Sequence, residues 1–415
     1  MSAALLVRIG DEVVGRLWLD ARKRFCFQYD EHWLERSRIP LSLSLPLRRA
    51  PYLDDESHPF FANLLPEEKI RAVIARNLGL SLHNDYGLLE RIGGDCAGAL
   101  SLLSESHPQK VEESFYRKVS RDELNSLLDE LPKRPFLAGE KGMRLSLAGA
   151  QKKLPIYYDG EGYSLGYGIA PSNYIIKPAI ETLDGTVENE AFCSALAKAV
   201  GLDVPFSFIH QHQGKKVFVI ERYDRIPITG GIKRLHQEDF CQALQVPPEY
   251  KYEAEGGPSL ATSFDLVRKV SSRSGKDLLS LLNWVIFIYL IGNSDAHGKN
   301  LSLLLLPSGP RLAPFYDLLS TRIYSHYGLT AQLAMKIGGE SDPGVIRKEH
   351  WEKFATEVGI KPRLVLTQVV ELAQRNQIAR MQLFKGAFAP YRCDALCRMM
   401  ELMAEQEEKA VRRLT

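Results

Sequence analysis

The chain has 415 residues, of which 45% are hydrophobic and 25% charged, and its formal net charge is +2. This is the composition of an ordinary globular protein, and the length predicts two to three domains. The nearly balanced charge excludes a strong bulk attraction to nucleic acid, although it leaves room for a local basic patch.

The cysteines and the apolar runs indicate the compartment. There are six cysteines, none in a Cys-x-x-Cys pair, and no zinc-ligand spacing occurs among Cys and His. We therefore predict buried, reduced thiols. The N-terminus lacks the pattern of a signal peptide, and the longest apolar run, Leu278 to Ile291, is too short to cross a bilayer easily. These features predict a cytoplasmic protein without a membrane segment.

Residues 1–103 have the pattern of a small α+β domain. Alternating apolar residues predict strands at Leu5 to Ile9, Val13 to Trp18 and Phe25 to Tyr29. The run from Ile39 to Leu47 also alternates apolar and small residues, and its prolines predict an edge strand. Helices are predicted at residues 60–65 and 66–78, and no catalytic pattern occurs in this domain.

Residues 104–142 are polar and interrupted by prolines, which is typical of a connector. One helix is predicted there, from Arg121 to Glu130. Ser120 is its N-cap, and Glu123 is placed to complete a capping box.

Residues 143–234 begin with the segment RLSLAGAQKK, residues 144–153, which predicts a strand followed by a glycine turn. The small residues at 148–150 let the backbone approach a phosphate group, and Lys152 and Lys153 can neutralise its charge. The segment matches neither G-x-G-x-x-G nor the Walker A pattern, so a simple tight turn is an equally good interpretation.

Two further features of this region fit a nucleotide site. A short strand ends at Lys177, and the next predicted helix begins near Thr186 and carries Glu188 and Glu190. In protein kinases such a strand lysine pairs with a glutamate of the following helix. A later strand runs into the polar corner Glu221-Arg222-Tyr223, where backbone groups can bind an adenine. The alternative interpretations are a solvated lysine and a salt-bridge cluster at the sheet edge.

Residues 235–415 are mostly helical and contain the strongest functional signal. The apolar run that ends at Ile291 is followed by the loop GNSDAHGKN, then by two short strands, and then by Asp317. An Asp, an Asn five residues later and a further Asp beyond a hairpin occur in this order in protein-kinase phosphoryl transfer. Carboxylate and amide oxygens suit Mg²⁺. The pattern therefore predicts that Asp295 is the catalytic base and that Asn300 and Asp317 hold metal.

The chain resembles the HipA family, the bacterial serine/threonine kinase toxins of HipA–HipB toxin–antitoxin modules. Seven segments carry the resemblance: LSLSLPL, RLSLAGAQKK, NYIIKP, ERYDR, LHQEDFCQAL, GNSDAHGKNLS and PFYDL. The resemblance implies an α+β, two-lobed protein-kinase-like fold. It divides the chain into an N-terminal α+β subdomain (1–103), a connector (104–142), a kinase N-lobe (143–234) and a mostly helical C-lobe with the catalytic loop (235–415).

The resemblance also implies an activity. A HipA-type kinase uses ATP and Mg²⁺ to phosphorylate a serine of an aminoacyl-tRNA synthetase, which is glutamyl-tRNA synthetase for the best-known member. The modification blocks translation and promotes dormancy and persistence. The implied partner is a HipB-like helix-turn-helix antitoxin, with which the toxin acts as a transcription corepressor. Operator DNA is then reached through the antitoxin.

The family pattern assigns roles to individual residues. Asp295 matches the catalytic base, and Lys177 matches the phosphate-binding lysine. Ser146 matches an autophosphorylated serine whose modification pulls the phosphate loop out and switches the kinase off, with Arg144, Lys152 and Lys153 as candidate captors of the phosphate. The implied nucleotide contacts, with Asn300 and Asp317 also as metal ligands, are Ala148, Gly149, Ala150, Gln151, Lys152, Lys153, Lys177, Glu221, Arg222, Tyr223, His297, Gly298, Lys299, Asn300, Tyr316 and Asp317.

The chain departs from the family pattern at two places. Lys152 stands where the type member has an acidic residue. The segment from Lys336 to Ser341, KIGGES, has fewer basic residues than the DNA-contacting patch of the type member, so we do not predict direct DNA contact. Two other hypotheses are compatible with the sequence. One is a small-molecule kinase, and the other is a catalytically silent corepressor.

Overall fold

The computed structural model describes residues 4–106, 114–138, 143–149 and 151–414. The α+β class predicted from the sequence is confirmed. Strands concentrate in the first part of the chain and helices in the last. In each sheet of the described residues, neighbouring strands pair in antiparallel orientation.

The N-terminal unit is a four-stranded sheet covered by helices, with the strand order β3-β2-β1-β4. Its aromatic core includes Phe27 and Phe61, whose ring centroids are 5.5 Å apart. The three strands predicted at the start of the chain are confirmed. The elements are β1 (Leu5–Ile9), β2 (Glu12–Leu19), β3 (Phe25–Tyr29), α1 (Glu31–Arg36), α2 (Asp54–Ala62), α3 (Glu68–Asn77), α4 (Asp85–Ile92) and β4 (Leu100–Ser104).

Two predictions for this unit are wrong. The segment 39–47 is not an edge strand, because it makes a single bridge between Ser42 and Leu45. Its prolines remove backbone donors that a strand would need. The helix predicted at residues 60–65 is the end of α2, which begins at Asp54. Residues 60–62 are the last three residues of α2, and residues 63–65 lie beyond its end.

A six-stranded sheet follows, with the order β5-β7-β6-β8-β10-β9. Its first strand lies in the segment that we predicted as a connector. The predicted strand at residue 144 is absent, because Leu145 makes only one bridge, to Asp95. The elements are β5 (Phe115–Val119), α5 (Arg121–Glu130), β6 (Leu154–Tyr158), β7 (Tyr163–Tyr167), β8 (Tyr174–Pro178), α6 (Thr186–Ala199), β9 (Ser207–His212) and β10 (Lys215–Glu221).

Helix α5 has the predicted bounds, and one of the two hydrogen bonds of the predicted capping box is formed. The Ser120 hydroxyl accepts a hydrogen bond from the Glu123 backbone N–H at 3.1 Å. The Glu123 carboxylate pairs with Arg117 of β5 instead of closing the capping box. The helix is thereby tied to the edge of the sheet.

Strand β10 separates two hydrophobic cores. Val217 and Val219 belong to a core shared with the N-terminal unit, whereas Phe218 and Ile220 belong to a core shared with α6 and the helical lobe. Successive side chains of a strand point to opposite faces, so a strand between two cores is apolar throughout.

The C-terminal lobe is built around a buried helix, α9. A β11-β12 ribbon at the end of the kinase N-lobe precedes it, and the sheet of the C-terminal lobe is β13-β14-β15. The prediction that residues 235–415 are mostly helical is confirmed. The elements are β11 (Arg225–Ile228), β12 (Gly231–Arg234), β13 (Gln237–Asp239), α7 (Phe240–Ala243), α8 (Leu260–Val270), α9 (Ser274–Ile291), β14 (Ser302–Leu306), β15 (Gly309–Leu312), α10 (Lys348–Glu357), α11 (Pro362–Lys385) and α12 (Asp394–Leu414).

The end of α9 is fixed by a glycine. Gly292 has φ +69°, and a Cβ there would lie 2.9 Å from the Leu402 side chain. A side chain would therefore be disfavoured by both backbone strain and packing. The predicted catalytic loop starts directly after this residue, so its first atoms are held against α12.

Within the described residues, α9 is the one helix that is long and apolar enough to cross a membrane, and 61% of it is buried inside the protein. Its apolar surface packs against the neighbouring helices and strands in the core of the lobe. Burial within the lobe accounts for its composition.

Candidate active site

Three charged side chains meet at one point, two of them on consecutive elements and the third 140 positions after Lys177. Lys177 at the end of β8 donates a hydrogen bond to Glu190 of α6, with 2.6 Å between Nζ and Oε1. It also donates to Asp317, which follows β15. The sequence left Glu188 and Glu190 both open as the partner. The structure places Glu190 there, whereas Glu188 pairs with Lys216.

The electrostatics keep Asp317 and Lys177 ionised, whereas burial raises the pKa of Glu190 to about 7. The surrounding protein disfavours a charge on Asp317, but Lys177 and then Lys153 hold the pKa of that carboxyl at about 2. Burial opposes the charge on Lys177, but the charges of Asp317 and Glu190 raise its pKa. Asp317 therefore presents a carboxylate at any physiological pH, which is the form that binds a hard cation.

Asn300 reaches the same point from the loop after α9. Its amide nitrogen donates to Asp317 Oδ2 at 3.2 Å, and its amide oxygen accepts from the His297 backbone N–H at 3.0 Å. Asp317 has φ +57°, a conformation that is uncommon outside glycine. Its backbone carbonyl accepts from Asn293 at 3.2 Å. The loop and the Asp317 turn are thus tied to each other by two amide side chains.

These residues fit a magnesium site. The side chains of Asn300 and Asp317 touch through the Asn300 amide nitrogen, and each side chain carries an oxygen atom of the kind that Mg²⁺ prefers. Among the described residues no group of three His, Cys, Asp or Glu side chains is arranged to hold a metal by itself. Mg²⁺ is commonly bound by one or two protein groups together with substrate phosphates and water, so two oxygen ligands beside Lys177 suit it.

Asp295 stands at the mouth of this arrangement. Its side chain is 54% exposed, and its Oδ1 accepts a hydrogen bond from the Tyr252 hydroxyl at 2.7 Å. Its backbone N–H donates to Asn293 Oδ1 at 3.1 Å. An exposed carboxylate held at the end of a fixed loop can accept a proton from an incoming hydroxyl.

His297 lies beneath Asp295 and packs edge-on against the Tyr252 ring, with the ring centroids 5.0 Å apart. Burial, with the charge of Lys251, lowers the pKa of this histidine to about 3. Its imidazole is therefore neutral at physiological pH. At Gly298 a Cβ would lie 2.6 Å from the Pro258 ring, so only glycine lets the loop pack this closely.

The predicted phosphate loop lies folded against the protein. The Lys153 ammonium donates to the Ala148 carbonyl, and burial lowers the pKa of Lys153 to about 8. Gly149 has φ +109°, which glycine readily adopts. Gln151 is half-buried beside these residues. The predicted contact at Ala150 lies outside the described residues.

Ser146 is fully buried, and its hydroxyl donates to the Leu64 carbonyl of the N-terminal unit at 2.8 Å. Phosphorylation of this residue requires the segment to move outward. Of the predicted phosphate captors, Arg144 is bound to the Glu90 and Leu102 carbonyls at 2.6 and 2.7 Å. Lys152 forms a partly exposed ion pair with Glu181 at 3.3 Å.

The predicted adenine-binding corner is only partly available to a ligand. The Arg222 guanidinium is buried between Asp95 and Asp224, at 3.1 and 2.9 Å. This corrects the prediction for its side chain, since the salt-bridge interpretation describes it better. The Glu221 carboxylate is half-buried, and its backbone N–H is bound to the Phe206 carbonyl at 2.8 Å.

Tyr223 and Tyr316 form a wall between this corner and the loop after α9. Their rings are stacked with centroids 5.7 Å apart. The Tyr316 hydroxyl donates to the Lys299 carbonyl at 2.6 Å, and the Tyr223 hydroxyl bonds Gln237. The two residues connect the three-stranded sheet with the corner at the end of β10.

Lys299 also differs from its predicted role. Its ammonium is buried and donates hydrogen bonds to Asn63 and Asp239 at 2.6 and 2.9 Å. A nucleotide contact from this residue would have to come from its backbone. A buried lysine without such partners would carry a large desolvation cost, which explains why the side chain is held there.

Several residues beside the predicted ones were missed by sequence reasoning. Tyr252 contacts Asp295, and the neighbouring Lys251 is buried against Glu67 at 2.6 Å. Asn63 and Glu67 belong to the unit in which no catalytic pattern was seen. Their contacts span more than 180 positions of sequence, so no local spacing could have indicated them. A cavity of about 320 Å³ adjoins Glu67, Lys251 and Tyr252.

Comparisons with known proteins agree with this geometry. The HipA N-terminal domain model matches residues 5–103, and the HipA-like C-terminal domain model matches residues 145–379. A putative kinase, Y4mE, of Sinorhizobium fredii is 45% identical over 368 residues, 87% of each chain. The serine/threonine-protein kinase toxin HipA of Shewanella oneidensis is 31% identical over 387 residues, 90% of this chain and 88% of that protein.

The solved structures include a similar chain. It comes from a complex of HipA, HipB and operator DNA of Shewanella oneidensis, and it superposes with a TM-score of 0.84 at 29% identity. The superposition covers 99% of this chain and 96% of that one. The two-lobed, kinase-like fold predicted from the resemblance is thus confirmed. Because domain models, sequence relatives and a structure of nearly equal length agree, the chain belongs to the HipA family and is a serine/threonine protein kinase of that family.

Proposed function

We propose that this kinase is the toxin of a HipA-type toxin–antitoxin module and that it transfers the γ-phosphoryl group of ATP to a serine of an aminoacyl-tRNA synthetase. The observation that carries the proposal is the contact of Lys177 and Asn300 with Asp317. Asp295 is exposed on the loop that also carries Asn300. This arrangement has the residue types and order of kinase phosphoryl transfer.

The residues of the chain divide the work in this proposal. Asp295 accepts the proton of the serine hydroxyl while the serine oxygen forms its bond to the γ-phosphorus. The bond from that phosphorus to the β,γ-bridging oxygen breaks, and ADP leaves. Lys177 holds the phosphates by charge, while Asn300 and Asp317 are the residues that would hold Mg²⁺. When bound, that ion supplies neutralising charge to the phosphate oxygens.

Several of the other predicted contacts fit this scheme. Ala148, Gly149, Gln151 and the lysines after them would approach the phosphates once Lys153 leaves the Ala148 carbonyl. Tyr223 and Tyr316 offer aromatic surface near the Glu221 corner. The acceptor serine would enter from the side of Tyr252. This residue lines the cavity of about 320 Å³ and donates a hydrogen bond to Asp295.

We further propose glutamyl-tRNA synthetase as the acceptor and a HipB-like helix-turn-helix protein as the antitoxin, in a cytoplasmic setting. The antitoxin is supported by the Shewanella oneidensis chain, which was solved with HipB and operator DNA. In this scheme the chain acts as corepressor through the antitoxin. The 336–341 segment is folded back, with the Lys336 backbone N–H bound to Glu253 at 2.6 Å.

Ser146 serves as the off switch in this proposal. Its buried hydroxyl, bound to the Leu64 carbonyl, describes the loop before modification. A dianionic phosphate cannot be accommodated in a buried position without cations, so phosphorylation would expel the segment. Phosphopeptide mapping of wild-type protein should then find phosphate on Ser146 after incubation with ATP. Unlabelled Ser146 would reject the switch.

The activity is tested with γ-labelled ATP and a cell lysate. We expect label on a protein band of the size of the synthetase, and Asp295→Asn should lower the rate by about 100-fold to 10,000-fold. Ser146→Ala should lose autophosphorylation at this position, which separates that event from transfer to the acceptor. Label on small molecules alone would indicate a small-molecule kinase. Failure of the wild type to bind or turn over ATP would indicate a silent corepressor.

A further inference from the structure

One short segment of the N-terminal unit contacts both loops of the proposed phosphotransfer site. The segment runs from Asn63 to Glu67, between α2 and α3. It lies against the loop that carries Asp295 and against the loop that carries Ser146. We call it the clamp segment.

The first contact of the clamp segment is with Lys299. The Lys299 ammonium donates to Asn63 Oδ1 at 2.6 Å and to the Asn63 carbonyl at 3.2 Å. Asn63 is itself fixed, because its amide nitrogen donates to the Pro59 and Val246 carbonyls at 2.8 and 2.9 Å. Lys299 directly precedes Asn300, so its position determines where the proposed metal ligand lies.

The second contact is with Lys251. The Lys251 ammonium donates to Glu67 Oε2 at 2.6 Å, and Glu67 Oε1 lies 3.8 Å from the Lys299 ammonium. Tyr252, the next residue after Lys251, donates to Asp295. Burial raises the pKa of Glu67, but Lys299 and Lys251 together bring it below its ordinary value. Glu67 is therefore an anion placed between two buried cations, one on the catalytic loop itself and the other next to Tyr252.

The third contact is with the phosphate loop. The Leu64 carbonyl accepts the Ser146 hydroxyl at 2.8 Å, and the Glu67 backbone N–H donates to the Gly149 carbonyl at 3.4 Å. Pro66 and Gly149 form an isolated parallel bridge. The same few residues therefore fix the phosphate loop and the catalytic loop relative to each other.

We propose that Asn63 and Glu67 are positioning residues of the phosphotransfer reaction, supplied by the N-terminal unit, and that the clamp segment couples the phosphate loop to the catalytic loop. The inference rests on the proposed function. It implies that the kinase lobe is incomplete without the N-terminal unit. It also implies that expulsion of Ser146 breaks contacts of the segment that holds Asp295 and Asn300 in place.

The clamp segment is not the sole attachment of the N-terminal unit to the rest of the protein. Ser42 donates to Glu238 of β13, and Asp95 is bound to Arg225 at 2.7 Å. These contacts hold the unit to the rest of the protein without reaching the catalytic loop through a hydrogen bond. Loss of one clamp contact should therefore alter loop geometry before it undocks the unit.

The test compares Glu67→Gln and Asn63→Ala with Ser42→Ala in the full-length protein. Initial rates of label transfer from ATP to lysate protein are measured against ATP concentration, and chemical unfolding is measured for each variant. We expect kcat to fall by about 10-fold to 100-fold for both clamp variants with KM for ATP changed less than about 3-fold, because a displaced catalytic group costs rate at unchanged ground-state binding. Ser42→Ala should keep wild-type kcat.

Hydrogen exchange provides a second readout. The backbone amides of residues 293–300 should exchange faster in the clamp variants and at the wild-type rate in Ser42→Ala. If Glu67→Gln does not fold, Asn63→Ala decides the question through Lys299 by the same criteria. A folded clamp variant with wild-type kcat would overturn the positioning role alone. An equal loss of kcat in Ser42→Ala would also overturn it. A wild type that binds ATP without transferring phosphate would overturn the proposed function and this inference with it.

Discussion

Asp95 holds the N-terminal unit to the kinase lobe through buried charge, and its replacement by asparagine should lower the free energy of unfolding by about 3 to 5 kcal/mol. The carboxylate is 1% exposed. It accepts from Arg222 at 3.1 Å, from Arg225 at 2.7 Å and from the Ser172 hydroxyl at 2.7 Å. These two arginines, with burial opposing them, keep the pKa of Asp95 far below its ordinary value.

The magnitude follows from what remains after the substitution. Asp224 also contacts both guanidinium groups, Arg222 at 2.9 Å and Arg225 at 2.8 Å. Without the Asp95 charge, Arg222 and Arg225 share this single carboxylate, so one positive charge of these two is left uncompensated. Arg234, whose guanidinium lies 3.6 Å from Asp95, also loses a nearby anion. Removing one partner from a buried ion pair typically costs several kcal/mol because the other charge stays buried. Asparagine has nearly the same shape as aspartate, so the loss in the free energy of unfolding measures the effect of the charge and not of packing.

Urea unfolding at neutral pH, followed by tryptophan fluorescence and by far-UV circular dichroism, measures the effect. Asp129→Asn is the matched control, because Asp129 forms a surface pair with Lys215 in which the side chains are 64% and 44% exposed. A pair of this kind contributes about 0 to 1 kcal/mol. If Asp95→Asn shifted the free energy no more than Asp129→Asn does, the assignment of this network as a buried inter-unit anchor would be wrong.

Further predictions concern pH, catalysis and backbone strain. Burial raises the pKa of Glu238 to about 8, so the folded state binds more protons than the unfolded state between about pH 4.5 and pH 8 and stability should fall as pH rises through this window. In Glu238→Gln the urea midpoint of unfolding should fall less steeply as pH rises through this window. An unchanged slope would show that other groups cause the pH dependence. Lys177→Met should lower phosphotransfer at least about 100-fold while the protein stays folded, and near-normal rates with labelled ATP would remove the lysine from the mechanism. Gly338→Ala should lower the melting temperature by several degrees, because φ is +59° and the Cβ would lie 2.0 Å from the His350 carbonyl oxygen. An unchanged melting curve would show that this turn relaxes freely.

The parts of the site that were predictable are local in sequence. Asp295 and Asn300 lie on one loop, and Asp317 follows a hairpin that any antiparallel pairing of two adjacent strands would create. Their convergence therefore needed only short-range folding rules. The pairing of Lys177 with a glutamate of the next helix was predicted for the same reason, because a strand followed by a helix places them near each other, but Glu188 and Glu190 were both left open as the partner.

The parts that were not predictable depend on contacts between distant segments. Lys299 and Lys177 are both lysines near the proposed nucleotide site, yet only Lys177 contacts Asp317. Lys299 is held elsewhere because Asn63, from another unit, offers it oxygen atoms. Likewise, the Arg222 side chain is drawn into the core by Asp95. Motif reasoning identified these positions, but only the tertiary structure shows which way the charges face.

The hydrophobic core shared between the N-terminal unit and the six-stranded sheet has a consequence for synthesis on the ribosome. Residues of β1 to β4 leave the exit tunnel first, but the other half of their core includes Leu154, Ile156, Val217 and Val219. Until those strands emerge, the nascent unit exposes an apolar face of the kind that chaperones bind. The nascent kinase is therefore an inactive intermediate with an exposed apolar face for much of its elongation, because the Asp317 turn is added only in the last quarter of the chain.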